Sequence, residues 1–305
     1  MIINTGGRTD TVNYYSDWLL NRFEEGFVYS RNPLFPNHIT KYTLDPSVVD
    51  CVVFCSKNYR PILSELHRIT DRFNVFCHYT ITAYGKDVEP NVPDIDQSID
   101  TLVELSAKVG NKCVAWRYDP VLLTLKYTVD YHLRMFDYMA SRLAPYVNFC
   151  VFSFVEMYKR LEYNMPELIP LTDRDKEKLA EGMGAIARKY GLHLQTCGTS
   201  ENYSRYGISV SGCMTTANLG NALGCRFKNM AHKGTRIGCN CMPTRDIGAY
   251  NTCLNGCRYC YANKKPELAV ENYKLHDPAS PLLIGHVKPT DLSLIHISEP
   301  TRLRC

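Results

Sequence analysis

Six short runs rich in Val, Ile, Phe, Tyr and Cys, separated by helix-like stretches, constrain the fold of the first 200 residues more than any other feature. The runs span residues 1–5, 50–56, 74–83, 112–118, 147–154 and 192–197, and their composition predicts buried strands. Helical patterns cover 12–25, 61–72, 95–109, 129–143 and 172–190, the last with Thr172 as a capping residue before the acidic first-turn residues Asp173 and Asp175. A hairpin joining 27–30 to 38–43 is predicted after the first helix, because Asn32-Pro33 and Pro36-Asn37 supply turn chemistry. Repeated βα units imply an α/β fold with a parallel sheet. The expected architecture is a partial or complete TIM-like β/α barrel over 1–196, followed by a cysteine-rich Fe-S lobe over 197–291. A doubly wound open sheet satisfies the same periodicity.

Apolar residues make up 45% and charged residues 22%, which excludes a disordered or fibrous chain. The longest apolar runs, such as 147–155, reach about nine residues, against roughly 20 for a bilayer span. The N-terminus lacks a basic region followed by an apolar one, so the expected compartment is the cytoplasm, with no membrane partner. Residues 292–305 resemble a translated sequencing adapter, and on that expectation the natural chain continues beyond about Asp291.

In a reducing compartment, 14 cysteines point to metal or redox chemistry rather than disulfides. Eight of them fall within the 64 residues from Cys197 to Cys260. The same region is basic: from Cys197 to Lys265 nine Lys or Arg face two acidic residues, a net +7 in a chain of +4. Its sharpest pattern is Cys253-Leu-Asn-Gly-Cys257-Arg-Tyr-Cys260, a CxxxCxxC run. Three thiolates on one loop can hold three irons of a [4Fe-4S] cube and leave the fourth open. They can equally belong to an electron-transfer cluster or to a zinc site completed by a cysteine elsewhere. Gly256 suits a loop that must wrap a bulky group. Cys197, Cys213, Cys239 and Cys241 are enough for a separate Cys₄ site holding a second cluster or a structural zinc, with Cys225 left over.

In a parallel barrel the active groups sit at the C-terminal ends of the strands. Those positions carry Arg8-Thr9-Asp10, Lys57-Asn58, Thr82 with Tyr84, Lys86 and Asp87, Arg117 with Asp119, Glu156, and Cys197 with Glu201. Asp10, Lys57, Arg117, Asp119 and Glu156 form the candidate catalytic set for a charged substrate, although Arg117 and Asp119 can also serve only to pair with neighbours. Phosphate-loop and dinucleotide patterns are absent, and the nine histidines show no metal-ligand spacing.

Several longer runs carry a resemblance. Arg8-Thr9-Asp10, Arg31-Asn32-Pro33, 49–54 with Lys57-Asn58, 84–93, Trp116-Arg-Tyr-Asp-Pro120, 246–250 and Tyr259-Cys-Tyr-Ala-Asn263 together resemble a bacterial family catalogued as domain of unknown function eighteen forty-eight. Its members typically have a barrel-like body and a cysteine-rich end, and the likeness implies little about activity. The CxxxCxxC run resembles the cluster loop of radical S-adenosylmethionine enzymes. That resemblance implies Cys253, Cys257 and Cys260 as cluster ligands and Tyr259 packed on the cluster. It further implies S-adenosylmethionine on the open iron, cleaved to a 5′-deoxyadenosyl radical, and a reductant such as flavodoxin or ferredoxin. In that superfamily the loop follows the first barrel strand, whereas here it follows all six. A fainter similarity, in 116–120 and 253–261, is to the spore photoproduct lyase group, which repairs DNA.

Two functions follow as expectations. The first is a radical enzyme acting on an unidentified small-molecule or nucleic-acid substrate, its protein part positioning and shielding. The second is a binding or electron-transfer protein stabilised by zinc or Fe-S, with Arg226, Lys228, Lys233 and Arg236 facing nucleic-acid phosphates.

Overall fold

Each face of the main sheet packs against a different part of the chain, and that division organises the molecule. The computed structural model describes residues 1–199, 201–228, 238–296 and 302–303. The chain opens with β1 (Ile2–Asn4), α1 (Thr11–Tyr14) and α2 (Ser16–Glu25), followed by an antiparallel hairpin of β2 (Phe27–Arg31) and β3 (His38–Thr43). Next come β4 (Cys51–Ser56), α3 (His67–Thr70), β5 (Val75–Thr80), α4 (Ile95–Val109), β6 (Val114–Val121), α5 (Val129–Leu143) and β7 (Phe149–Phe154). After α6 (Lys159–Asn164) and α7 (Asp173–Lys189) follow β8 (Leu194–Thr196), β9 (Ser209–Val210), α8 (Thr216–Leu223), β10 (Arg226–Phe227), β11 (Arg245–Asp246) and α9 (Pro266–Tyr273).

Among the described residues, eight strands form one sheet in the order β11-β1-β4-β5-β6-β7-β8-β9, with every pair parallel. β5 and β7 are buried along their whole length, as strands covered on both faces must be. One face, with Val52, Phe54, Tyr79, Trp116 and Phe152, packs against Trp18 and Leu19 of α2, Leu102 and Leu105 of α4, Phe136 and Met139 of α5, and Met183 of α7. The other face, with Ile2, Val53, Phe76, Ala115, Phe149 and Val151, packs against Cys197, Cys213, Leu219, Cys241 and Met242. The long helices α2, α4, α5 and α7 therefore lie on one side and α8 on the other, and the strands run in chain order from β1 to β9. Among the described residues β9 and β11 are the two edges of the sheet and do not pair with each other, so the fold is α/β with an eight-stranded parallel sheet that strand pairing does not close into a barrel.

All six predicted strands and the predicted hairpin form. The patterns at 95–109 and 129–143 become α4 and α5 with those bounds, and α7 begins after a reciprocal cap in which the Asp175 amide donates to Thr172 Oγ1 and the Thr172 amide to Asp175 Oδ2. The segment expected to be helical over 61–72 is instead a chain of turns with only the four-residue α3. Its amides reach back three residues, Ile62 to Tyr59 and Glu65 to Ile62, while Ile62, Leu66 and Ile69 still reach the core. The two-residue strands β9 and β11 were not foreseen, being too short for any periodic signal. They come from the cysteine-rich stretch and pair with the edge strands β8 and β1. In the tail, β12 (Leu292–His296) lies parallel to β3, and β13 (Arg302–Leu303) pairs with β10. Among the described residues no helix is long and apolar enough to cross a membrane.

Candidate metal centres

The first centre is built where the segments that follow β8 and β9 meet the segment that precedes β11. Cys197 follows β8, Cys213 follows β9, and Cys239 and Cys241 precede β11. The sulfurs of Cys197, Cys213 and Cys241 all lie within 4.8 Å of one another, and Cys213 and Cys241 are 3.4 Å apart. Cys239 joins the same hydrogen-bonded group through Cys197 and Cys241. A tetrahedral ion with metal–sulfur bonds of about 2.3 Å holds its sulfurs about 3.8 Å apart, so this spacing suits a single ion. Backbone close to the sulfurs fixes the crossing. The Met214 amide donates to Cys241 Sγ at 3.4 Å and the Met242 amide to Met214 O at 2.8 Å. Gly212 sits at the contact: a Cβ there would lie 2.9 Å from Asn240 C and 3.0 Å from the Cys241 nitrogen, so no side chain fits. Gln195 and Asn218 both donate to its carbonyl, at 3.1 and 2.9 Å.

The thiols of this group do not share one acidity. Hydrogen bonds from Cys197 and then Cys241, helped by Arg117 and His78, hold Cys213 well below the usual thiol range. Hydrogen bonds with Cys213 and then Cys239 push Cys197 up, and those with Cys197, Cys213 and Cys239 push Cys241 up. A metal entering the group must displace the protons of the raised thiols.

The second centre is the CxxxCxxC loop, and its neighbours come from the far ends of other strands. Cys253, Cys257 and Cys260 are half-buried and are charged neighbours of one another, yet the three do not meet the single-ion spacing of the first group. Cubane ligands bind separate irons and stand farther apart than the ligands of one ion. The residues between the cysteines are anchored. Asn255 Nδ2 donates to Asp10 Oδ2 at 3.0 Å, while its Oδ1 accepts from Asn13 Nδ2 and Tyr14 OH. Leu254 O accepts from Asn91 Nδ2 at 2.7 Å. Arg258 pairs with Glu167 at 2.5 Å, and its amide donates to Val88 O at 3.0 Å. Tyr261 OH donates to Gly7 O at 2.6 Å, and Asn263 Nδ2 to Cys253 O at 2.6 Å. Gly256 has a φ of 69°, the left-handed region, and a Cβ there would meet Pro90 Cγ at 3.0 Å.

Asp10 and Lys57, expected at the mouth, both serve this loop. Asp10 accepts from the Asn13 amide, Ser56 Oγ, the Lys57 amide and Asn255 Nδ2 at 2.7 to 3.1 Å, and burial holds its carboxyl above the usual range despite those donors. Lys57 Nζ is 2.8 Å from Glu89 Oε1. Burial works against the Lys57 ammonium, but Glu89 and then Cys257 outweigh it and raise it. Burial pushes the Cys253 thiol up to about 12 and also holds Cys257 well above the usual thiol range, with Lys57 opposing the rise at Cys257. Tyr259 directs its hydroxyl to Glu89, which also accepts from Thr82 Oγ1 at 2.7 Å. Arg117 pairs with Asp119, whose carboxylate also accepts from Ser153. Glu156 is exposed beyond β7. Of the mouth candidates, Asp10 and Lys57 gather at the loop, the Arg117–Asp119 pair borders both groups, with Arg117 beside Cys213 and Asp119 acting on Lys57, and Glu156 is exposed.

Glu89 and Asn255 were missed as site residues. Glu89 lies in the 84–93 run that carried the family resemblance, but no local pattern marks either. Of the basic residues considered for phosphate binding, Arg226 and Lys228 are exposed, and Lys233 and Arg236 lie outside the described residues. Cys225 is half-buried and packs against the sheet face that carries Ile2, Val53 and Phe76.

Comparison with known proteins places these centres in a family context. A family model described as "Domain of unknown function (DUF1848)" matches residues 2–262, which takes in both cysteine groups. No curated protein and no solved structure matches the chain.

Proposed function

The chain belongs to this family of unknown function, and within it we propose a radical S-adenosylmethionine-type enzyme built on a partial β/α barrel. Cys253, Cys257 and Cys260 would hold a [4Fe-4S] cluster, and Cys197, Cys213, Cys239 and Cys241 a single zinc or iron ion. The observation that carries this reading is the position of the CxxxCxxC loop, which meets Asp10 after β1, Lys57 after β4 and Glu89 in the segment after β5. Active groups of parallel barrels gather at that end. The donor set also fits a cluster: three thiols on a loop whose intervening residues are tied down, with an ammonium beside one of them. When bound, a cluster of this type reductively cleaves S-adenosylmethionine to a 5′-deoxyadenosyl radical, and a flavodoxin or ferredoxin would supply the electron.

The chain's own part is positional. Asp10 orients Asn255 and with it the turn between Cys253 and Cys257. Lys57 offsets the negative charge that Cys257 acquires as a thiolate ligand. Substrate contact falls to Asp119 and the exposed Glu156. Residues 212–214 and 240–242, which follow β9 and precede β11, touch through backbone, so on the barrel reading the first centre would bridge the two edge strands.

The test is anaerobic reconstitution with iron and sulfide, followed by reduction with and without S-adenosylmethionine. The expected results are a change in the cluster's electron paramagnetic resonance signal on adding the cofactor and slow release of 5′-deoxyadenosine. A colourless protein that binds only zinc would overturn the enzyme and favour the metal-stabilised binding protein.

A further inference from the structure

A divalent ion held by four thiolates carries a net charge of −2, and three of these cysteines are only 4–6% exposed. Burying such a charge demands compensation by hydrogen bonds or opposite charge. Met214 supplies one N–H, to Cys241. The same sheet face, with Phe76, Ala115 and Val151, holds two further groups. His78 of β5 is 1% exposed, and neither ring nitrogen makes a well-formed hydrogen bond, the Cys213 backbone bearing on the ring only weakly. Buried imidazoles are ordinarily satisfied, so two nitrogens without such a bond require an explanation. Its ring packs at 5.1 Å from Phe76 and 6.4 Å from Phe149, both members of the apolar cluster that contains Cys197, Cys213 and Cys241. Arg117 of β6 sits in register with Val151, and Val151 with Gln195, whose amide holds the Gly212 carbonyl next to Cys213. After Asp119, the charged neighbours of the Arg117 guanidinium are Cys213, Cys55 and Cys197.

We propose that Arg117 and His78 are the counter-charge and an N–H donor of the four-cysteine centre, positioning residues for its metal rather than groups for substrate. The proposal rests on reading that centre as a metal site. Arg117 lies between Asp119 and the thiolates and offsets part of their charge, and His78 turns a ring N–H toward the sulfur side once the thiols have lost their protons.

Cobalt(II) titration of the full chain tests this, because sulfur-to-cobalt charge-transfer bands report both occupancy and hydrogen bonding to the sulfurs. C241S supplies the blank, and competition with a chromophoric chelator gives affinity. R117M should bind cobalt about 10- to 100-fold more weakly, as loss of an outer-shell partner does, and R117K should recover most of the loss. H78F should weaken binding about 10-fold and shift the charge-transfer band, while H78Q, which keeps an N–H, should stay close to the parent. Melting of each metal-free variant separates lost folding from lost binding, and the H78F and H78Q pair remains decisive if R117M does not fold. Parental affinity and spectrum in R117M and H78F would overturn the proposal alone. A parent that takes up no cobalt at these cysteines would overturn the metal reading of the centre and the proposal with it.

Discussion

The two cysteine groups are assembled in opposite ways. The CxxxCxxC group is contiguous in sequence, and its surroundings are distant: Asp10, Glu89 and Glu167 lie far up the chain from the loop they hold. The four-cysteine group is dispersed over 197–241 and drawn together by sheet edges and a glycine crossing, with short sulfur separations. A local motif is thus held in place by distant residues, whereas a group dispersed in sequence needs backbone arms brought nearly into contact.

Removing one sulfur from each centre is the harshest way to break that comparison. C241S should abolish the single-ion site and lower the stability of metal-replete protein by about 4 kcal/mol, the linkage expected at roughly a thousandfold excess of free metal over its dissociation constant. C257A should lose cluster iron and sulfide while leaving the unfolding transition near that of the parent, because the loop lies outside the packed sheet. Denaturant unfolding with and without chelator reads both variants. Equal stability losses would mean that the centres do not differ in kind.

How far each part was readable from sequence follows the same division. The strands and long helices announced themselves because the burial of β5 and β7 and the apolar stripes of α4 and α5 are local patterns. The three loop cysteines were visible as a spacing, and the four-cysteine set as a surplus of thiols. Nothing local linked Asp10 to Asn255, 245 positions apart, because that hydrogen bond exists only once the chain returns to the first strand. His78 was equally silent, since an orphaned ring nitrogen is a property of packing and not of sequence. The turns over 61–72 defeated the helix expectation because their apolar spacing serves the same core by a shorter-range bonding pattern.

A milder change sharpens the contrast on the loop side. D10N replaces an acceptor of four donors with a group that must present an NH₂ to some of them, and it should cost about 2 kcal/mol and slow cluster incorporation. Iron content after timed reconstitution, set against chemical denaturation, checks it. Parental incorporation would show that the loop forms without its clasp.

The last effect lies outside both centres and depends on pH rather than on a metal ligand. His132 is buried between Tyr118 OH and Leu122 O, and burial lowers it to about 4. A depressed imidazole stabilises the fold above its unfolded value near 6.5 and loses that contribution as pH falls toward 4. Metal-free protein should therefore lose up to about 3 kcal/mol across that window from this group, and H132Q should flatten the slope. A pH profile unchanged by H132Q would assign the acid sensitivity elsewhere.

Iron, acid-labile sulfide and total metal measured on one anaerobically reconstituted sample test the central claim most directly. Two unlike centres predict about four irons with about four sulfides, plus one further thiolate-bound ion, per chain. A single metal ion per chain with no sulfide would contradict it.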